Sequence, residues 1–266
     1  MSRLTLVVVA VTVAGVTTPL GWGHAADLAP RDTAAVGRAG DWSLGVAAPL
    51  RYAARDGVEL QAHPLLFLVA PNLLVRVAHG VALGWQLAGE YGASLPTPAM
   101  RLAQGYVFPT WDKSARRVGW FVVPRAGVVA SHLGPANSVL TLRLDAAYGF
   151  GLSRNDATPL ESAAPLDVLL APALSRYRIR CGVTHDVSIS ERVRVRAAAN
   201  VYLHGAQPSP ITFAAGVGVD IGVGERSRLV LGASYWNSDT GAIDLATHEH
   251  VRSNDFFPSL DFIWAG

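Results

Sequence analysis

Arginine stands at positions 176, 178, 180, 192, 194 and 196, two trios in which every second residue is basic. Residues two apart scatter around a helix axis but share one face of a strand, so each trio marks a strand face. Ser188-Ile189-Ser190 between them reads as a turn, and antiparallel pairing about it brings both trios to one side of a wall. Arginine forks lining a confined aqueous space attract anions. The competing use of these residues is an internal salt-bridge network. Glu59, Glu90, Asp145, Asp186, Asp220 and Asp261 fall on the charged faces of other alternating segments, together with Arg76, Arg125, Arg143 and Arg228. Ten arginines against six acids leave a positive excess, which a dry interior tolerates poorly.

Other chemistry finds few residues to carry it. The sequence has no Gly-x-Ser-x-Gly turn, and Lys113, the only lysine, has no serine three residues before it. His63, His79, His132, His185 and His204 are dispersed and read as girdle or turn residues. His248-Glu249-His250, with Asp239, Asp244 and Asp255, offers metal-type ligands in one loop, but acidic solvated loops of this kind are far commoner than metal sites. Gly216-Val-Gly-Val-Asp220-Ile-Gly222 lies inside an alternating strand with no helix after it, so its glycines are small wall positions rather than a phosphate loop. Cys181 falls on an apolar face, as packing. No catalytic residue, metal ligand or cofactor is expected, and the protein is not expected to be an enzyme.

The elements that must hold these residues are strands. Alternation recurs along the chain: Thr141, Arg143 and Asp145 oppose Leu140, Leu142 and Leu144, and Leu83, Trp85 and Leu87 oppose Gln86 and Glu90. Strands are predicted near 41–54, 57–69, 73–79, 82–93, 118–131, 138–151, 172–187, 191–204, 211–222, 228–237 and 256–264. Short turns alternate with longer loops at 94–117, 152–171 and 238–255, the arrangement of an outer-membrane barrel. Single-chain bacterial barrels close with an even number of strands. Twelve are expected, the extra one a weak strand within Arg31 to Gly40, with ten as the alternative.

Composition agrees. Half of the 266 residues are apolar, only 16% are charged, and the net charge is +2, which excludes disorder and binding of nucleic acid by bulk charge. One cysteine excludes a disulfide scaffold. Arg3, the uncharged run Leu4 to Val16, Pro19 and the small-residue exit Gly23-His24-Ala25 have the plan of a secretory signal peptide. The expected organisation is therefore residues 1–25 as signal peptide, 26–40 as an N-terminal segment and 41–266 as a barrel domain. Two observations favour charges on the inner face. Lysine is nearly absent, and Trp42, Trp120, Tyr148, Tyr177, Tyr202, Tyr235 and Trp264 sit near strand ends, where interface girdles belong.

The last strand, Leu260-Asp-Phe262-Ile-Trp264-Ala-Gly266, resembles the C-terminal assembly signal of outer-membrane barrels, with two small residues after the aromatic that normally ends it. The stretch Trp42-Ser-Leu-Gly45, Pro49-Leu-Arg-Tyr52, Asp56-Gly-Val-Glu59, His63-Pro64 and Pro71-Asn72 is similar to the opening hairpins of uncharacterised porin-like outer-membrane barrels of Gram-negative bacteria. The resemblance implies an all-β, antiparallel up-and-down transmembrane barrel in the outer membrane, in contact with the lipid bilayer and the barrel-assembly machinery. The expected function is a small porin-like channel or transport protein with an arginine-rich lumen, passing small solutes or anions and taking no nucleic acid. Two alternatives stay open: a non-conducting structural or adhesion barrel acting through its outer loops, and a soluble periplasmic binding barrel.

Overall fold

In the computed structural model, which describes residues 30–106, 111, 116–135, 137–157, 165–205, 211–244 and 246–266, the alternating segments pair into a closed antiparallel barrel of twelve strands. The expected signal peptide lies outside the described residues. The wall is β1 (Trp42–Gly45), β2 (Leu50–Arg55), β3 (Val58–Ala62), β4 (Asn72–Ala82), β5 (Trp85–Ser94), β6 (Phe121–Leu133), β7 (Ser138–Tyr148), β9 (Tyr177–Ser190), β10 (Val193–His204), β11 (Ile211–Gly222), β12 (Ser227–Ile243) and β13 (His250–Ala265). Each strand pairs with the next in sequence, and β13 returns to β1. A two-residue strand, β8 (Phe150–Gly151), pairs only with the start of β6 and stands outside the wall.

The twelfth strand does not come from Arg31 to Gly40, which is not a strand. It comes from the predicted strand 41–54, which is a hairpin. Asp261 on β13 accepts the backbone N–H groups of Ala47 and Ala48, at 2.8 and 2.9 Å, and so folds the chain over between β1 and β2. The predicted strand 57–69 is also too long. Pro64 opens a helical turn, α1 (Pro64–Phe67), and the His63 ring accepts the N–H of Leu66. Two further helices sit in the long loops: α2 (Thr97–Ala103) and α3 (Leu166–Ser175), the latter taking residues assigned above to the strand at 172–187. Conversely β12 and β13 run past their predicted ends and shrink the predicted loop 238–255 to 244–249.

The two ends of the barrel differ. Tight turns and both ends of the wall share one end, where Trp42 and Gly266 exchange backbone hydrogen bonds of 2.8 and 2.9 Å. The three helices among the described residues lie at the other end. Strands β4–β7 and β9–β13 have ten to seventeen residues, enough for a bilayer crossing of about 9–11. Strands β1–β3 have only four to six. β1 covers β13 only over Ile263–Ala265, and Val46 adds one bond to the carbonyl of Phe262. Where β3 stops short, α1 presents Leu65, Leu66, Phe67 and Leu68 to the outside.

Alternation sorts the wall as predicted. Outward positions such as Leu142, Leu144, Val183, Val201, Phe213, Leu231 and Leu260 are apolar and exposed, whereas Glu59, Arg76, Glu90, Asp145, Asp186, Arg194 and Asp220 are buried inside. Register sets opposite charges across from each other on the inner face: Glu59 with Arg76, Arg76 with Glu90, Asp145 with Arg180, Asp186 with Arg196 and Arg194 with Asp220.

Candidate functional site

The charged lumen is the site, and it divides by height into two clusters. Towards the loop end and the middle, Glu90 on β5 is fully buried and receives three guanidiniums. Arg76 Nη2 lies at 2.6 Å, Arg143 Nη1 at 2.8 Å and Arg125 Nη2 at 3.0 Å. Asp145 on β7 accepts Arg180 and lies 3.3 Å from Arg125 and 3.7 Å from Arg178. Glu59 sits 3.7 Å from Arg76 and accepts the Gln61 amide. Glu90 and Asp145 each meet arginines from more than one other strand and Glu59 joins β3 to β4, so the network ties β3 through β9 together from within. A buried carboxylate reached by several aligned donors keeps its charge at a cost that a lone pair could not offset.

The arginine trios do not form one ladder. In an antiparallel hairpin the residues nearest the turn meet each other, so Arg194 faces Ser188 and Arg196 faces Asp186, while Arg180 faces Tyr202 and Arg178 faces His204. Arg180 therefore pairs six residues along β10 from Arg196, roughly 20 Å at a strand's rise per residue. The outermost member of each trio leaves the lumen altogether. Arg176 ends α3 with a φ of +78° and is exposed, because a residue in that conformation cannot continue the alternation. Arg192 lies in the turn before β10 and is exposed too. Arg178, Arg180, Arg194 and Arg196 remain inside. Arg228 on β12 stands 3.3 Å from Asp220, and Asp261 is spent on the β1–β2 turn.

The second cluster, towards the turn end, contains residues that sequence reasoning missed. Residues 31–36 enter the lumen as a separate segment. Arg31 donates to Asp220 at 3.1 Å, the Ala34 N–H donates to Ser131 Oγ at 2.8 Å, and Arg143 donates to the Asp32 carbonyl at 3.1 Å. The Asp32 carboxylate accepts from Arg51 and, at 3.2 Å, from Arg196. These partners come from β2, β6, β7, β10 and β11, which lie on different sides of the barrel, so the segment crosses it. Asp32 stands outside the wall strands. Its partial loss of hydration works to raise its carboxyl, and Arg51, Arg196, Arg143 and Arg31 together hold it well below the usual carboxylate range. The only sequence signal was parity: Arg51 alternates with Tyr52 and so faces inward. Nothing in an isolated Arg31-Asp32 pair says what it binds.

The loop end is capped by apolar packing. Met100 and Ala103 of α2, Trp111, Val118, wall residues Phe121, Val123 and Ala147, and Ala173 with Leu170 and Leu174 of α3 form one cluster. Val168 of α3 packs on Tyr202, Ala214 and Trp236, and its carbonyl accepts from Arg178 at 3.3 Å. Tyr202 thus faces inward, stacked on Trp236 at 5.6 Å, and does not belong to an interface girdle. His204 is likewise no girdle residue: it is fully buried, with Nε2 3.0 Å from Thr212 Oγ1. Beside the 244–249 turn, His250 at the start of β13 lies 3.6 Å from Asp239 across the β12–β13 hairpin. Cys181 is exposed on the outer face.

No protein-family model matches the chain, and no curated protein matches it. Among solved structures it is similar to the outer-membrane expressed OmpT of Vibrio cholerae, at 10% identity and a TM-score of 0.44, over 82% of this chain and 64% of that one. The in-vitro folded form of the same protein gives 9% and 0.42, over 82% and 63%. Its loop L8 deletion mutant gives 8% and 0.44, over 82% and 62%. The chain spans less than two thirds of the length of these structures. The likeness is one of barrel form and says nothing of the lumen or of an activity.

Proposed function

We propose that this is an outer-membrane β-barrel protein that is closed at rest, its lumen occupied by its own N-terminal segment. The observation that carries the reading is the engagement of Asp32 by Arg51 and Arg196, from strands far apart around the wall. A segment held across the interior by the residues that would otherwise line a pore leaves no free path at that height. The apolar cap built on α2 and α3 supports closure at the other end.

The membrane part of the reading rests on the outer face. An apolar outer face on a wall whose inner face is charged suits lipid outside, and a soluble periplasmic barrel would carry the opposite arrangement. Turns and chain ends gathered at one end with longer loops at the other suit a periplasmic turn end. One observation favours a second reading, a gated path for small solutes in keeping with the porin-like expectation. Arg31 and Asp32 are held by polar contacts, which water and ions can replace, and the buried apolar cluster that Ala34 joins is small, with Ala88 and Val129. In planar bilayers the wild-type protein is expected to insert and carry no steady current. A steady ohmic current from the intact protein overturns closure, and quantitative recovery in the soluble periplasmic fraction overturns the membrane reading.

A further inference from the structure

Wall arginines meet the N-terminal segment with nitrogens left over from wall acids. Arg143 holds both oxygens of Glu90 through Nη1, at 3.0 and 2.8 Å, and turns Nη2 to the Asp32 carbonyl at 3.1 Å. Arg196 donates Nε to Asp186 at 3.0 Å, Nη1 to the Asp32 carboxylate at 3.2 Å and Nη2 to the Arg31 carbonyl at 2.7 Å. Arg51 donates to the other carboxylate oxygen of Asp32. A guanidinium pinned along one edge presents the other in a fixed direction. The wall therefore carries a preformed set of donors for one carboxylate and two carbonyl oxygens, and such a set loses little freedom when it is filled.

Its present occupant is exchangeable. The Asp32 side chain keeps 45% of its exposure, whereas the acids of the network have 10% or less. Its backbone sits at a φ of +61°, a left-handed conformation that an aspartate adopts at some cost. No strand pairing holds the segment, and the acids that position Arg143 and Arg196 stay behind if it leaves.

We propose that Arg51, Arg143 and Arg196 form a binding site for a small carboxylate-bearing solute, with Asp32 as the built-in occupant that such a solute displaces. The site deepens the closed-barrel reading and rests on it for what limits access. Isothermal titration of the detergent-extracted full chain with succinate tests it. Asp32→Asn is expected to bind succinate at least about tenfold more tightly than the wild type, because the competing carboxylate is gone. Adding Arg51→Gln to Asp32→Asn is expected to lose that gain. Should Asp32→Asn fail to fold, judged by heat-modifiable migration, removal of residues 31–36 carries the same comparison. Succinate binding that is absent from the folded variant, or unchanged by Arg51→Gln, overturns the site. Bilayer recordings on the same samples separate the two readings: a wild type that stays closed while the variant ignores succinate refutes the site alone, and a conducting wild type refutes closure whatever succinate does.

Discussion

Glu90 is the acid on which three lumen arginines converge. It is fully buried, and Arg76, almost as buried, has its 2.6 Å partner there. Glu90→Gln keeps the shape and removes the charge, leaving three guanidiniums around a neutral amide. The expected loss is about 3–5 kcal/mol, the scale of breaking a buried pair by removing one partner. Urea unfolding in lipid vesicles measures it. Arg176→Gln and Arg192→Gln, outside the lumen, should each stay within about 0.5 kcal/mol of the wild type. Parity alone put all six arginines on an inner face, and for four of them the inner face is where they are. It could not show that the chain leaves the strand conformation at Arg176, nor that hairpin register holds the two groups at different heights.

At the scale of elements, long alternating strands were legible and short ones were not. β7, β9, β10 and β11 lie within a few residues of their predicted spans because each has enough alternating residues to establish a period. β1–β3 are too short for that, and the turn between β1 and β2 depends on Asp261, more than two hundred residues away in sequence. The helices were hidden for a similar reason: α3 contains Pro172, a poor helix signal, and is held by packing against the wall. It passes close to Gly149, where an added Cβ would lie 1.8 Å from the Pro172 carbonyl oxygen. Gly149→Ala should therefore force α3 from its seat, at a cost of about 1–3 kcal/mol for overpacking. Chymotrypsin cleavage near Leu169 and Leu170 is expected to accelerate while the wall keeps its heat-modifiable migration. Unchanged cleavage would mean that α3 is not seated there.

For the whole molecule, the decisive property is which face meets lipid. Leu142 lies near the middle of β7 and points outward with 43% exposure. Leu142→Arg should cost about 2–4 kcal/mol in a bilayer, as cations do near the midplane of a barrel wall. On a solvated surface it would be almost neutral, so the same unfolding measurement distinguishes the two environments. The charge-inward arrangement was legible from composition and alternation together. The occupied lumen was not, because the occupant is a segment without a period of its own, recognisable only once the wall arginines around it are in place.

A single cross-linking experiment decides whether residues 31–36 lie inside the barrel. The Ala34 N–H donates to Ser131 Oγ at 2.8 Å, so the two residues are in direct contact and are the pair to cross-link. With the native thiol removed by Cys181→Ser, the pair Ala34→Cys and Ser131→Cys should oxidise nearly completely in intact cells. Mass spectrometry of tryptic digests should then recover the peptide containing position 34 joined to the one containing position 131. A segment outside the lumen leaves both cysteines free to react with alkylating reagent in the folded protein. Full alkylation with no joined peptide would contradict the occupied lumen.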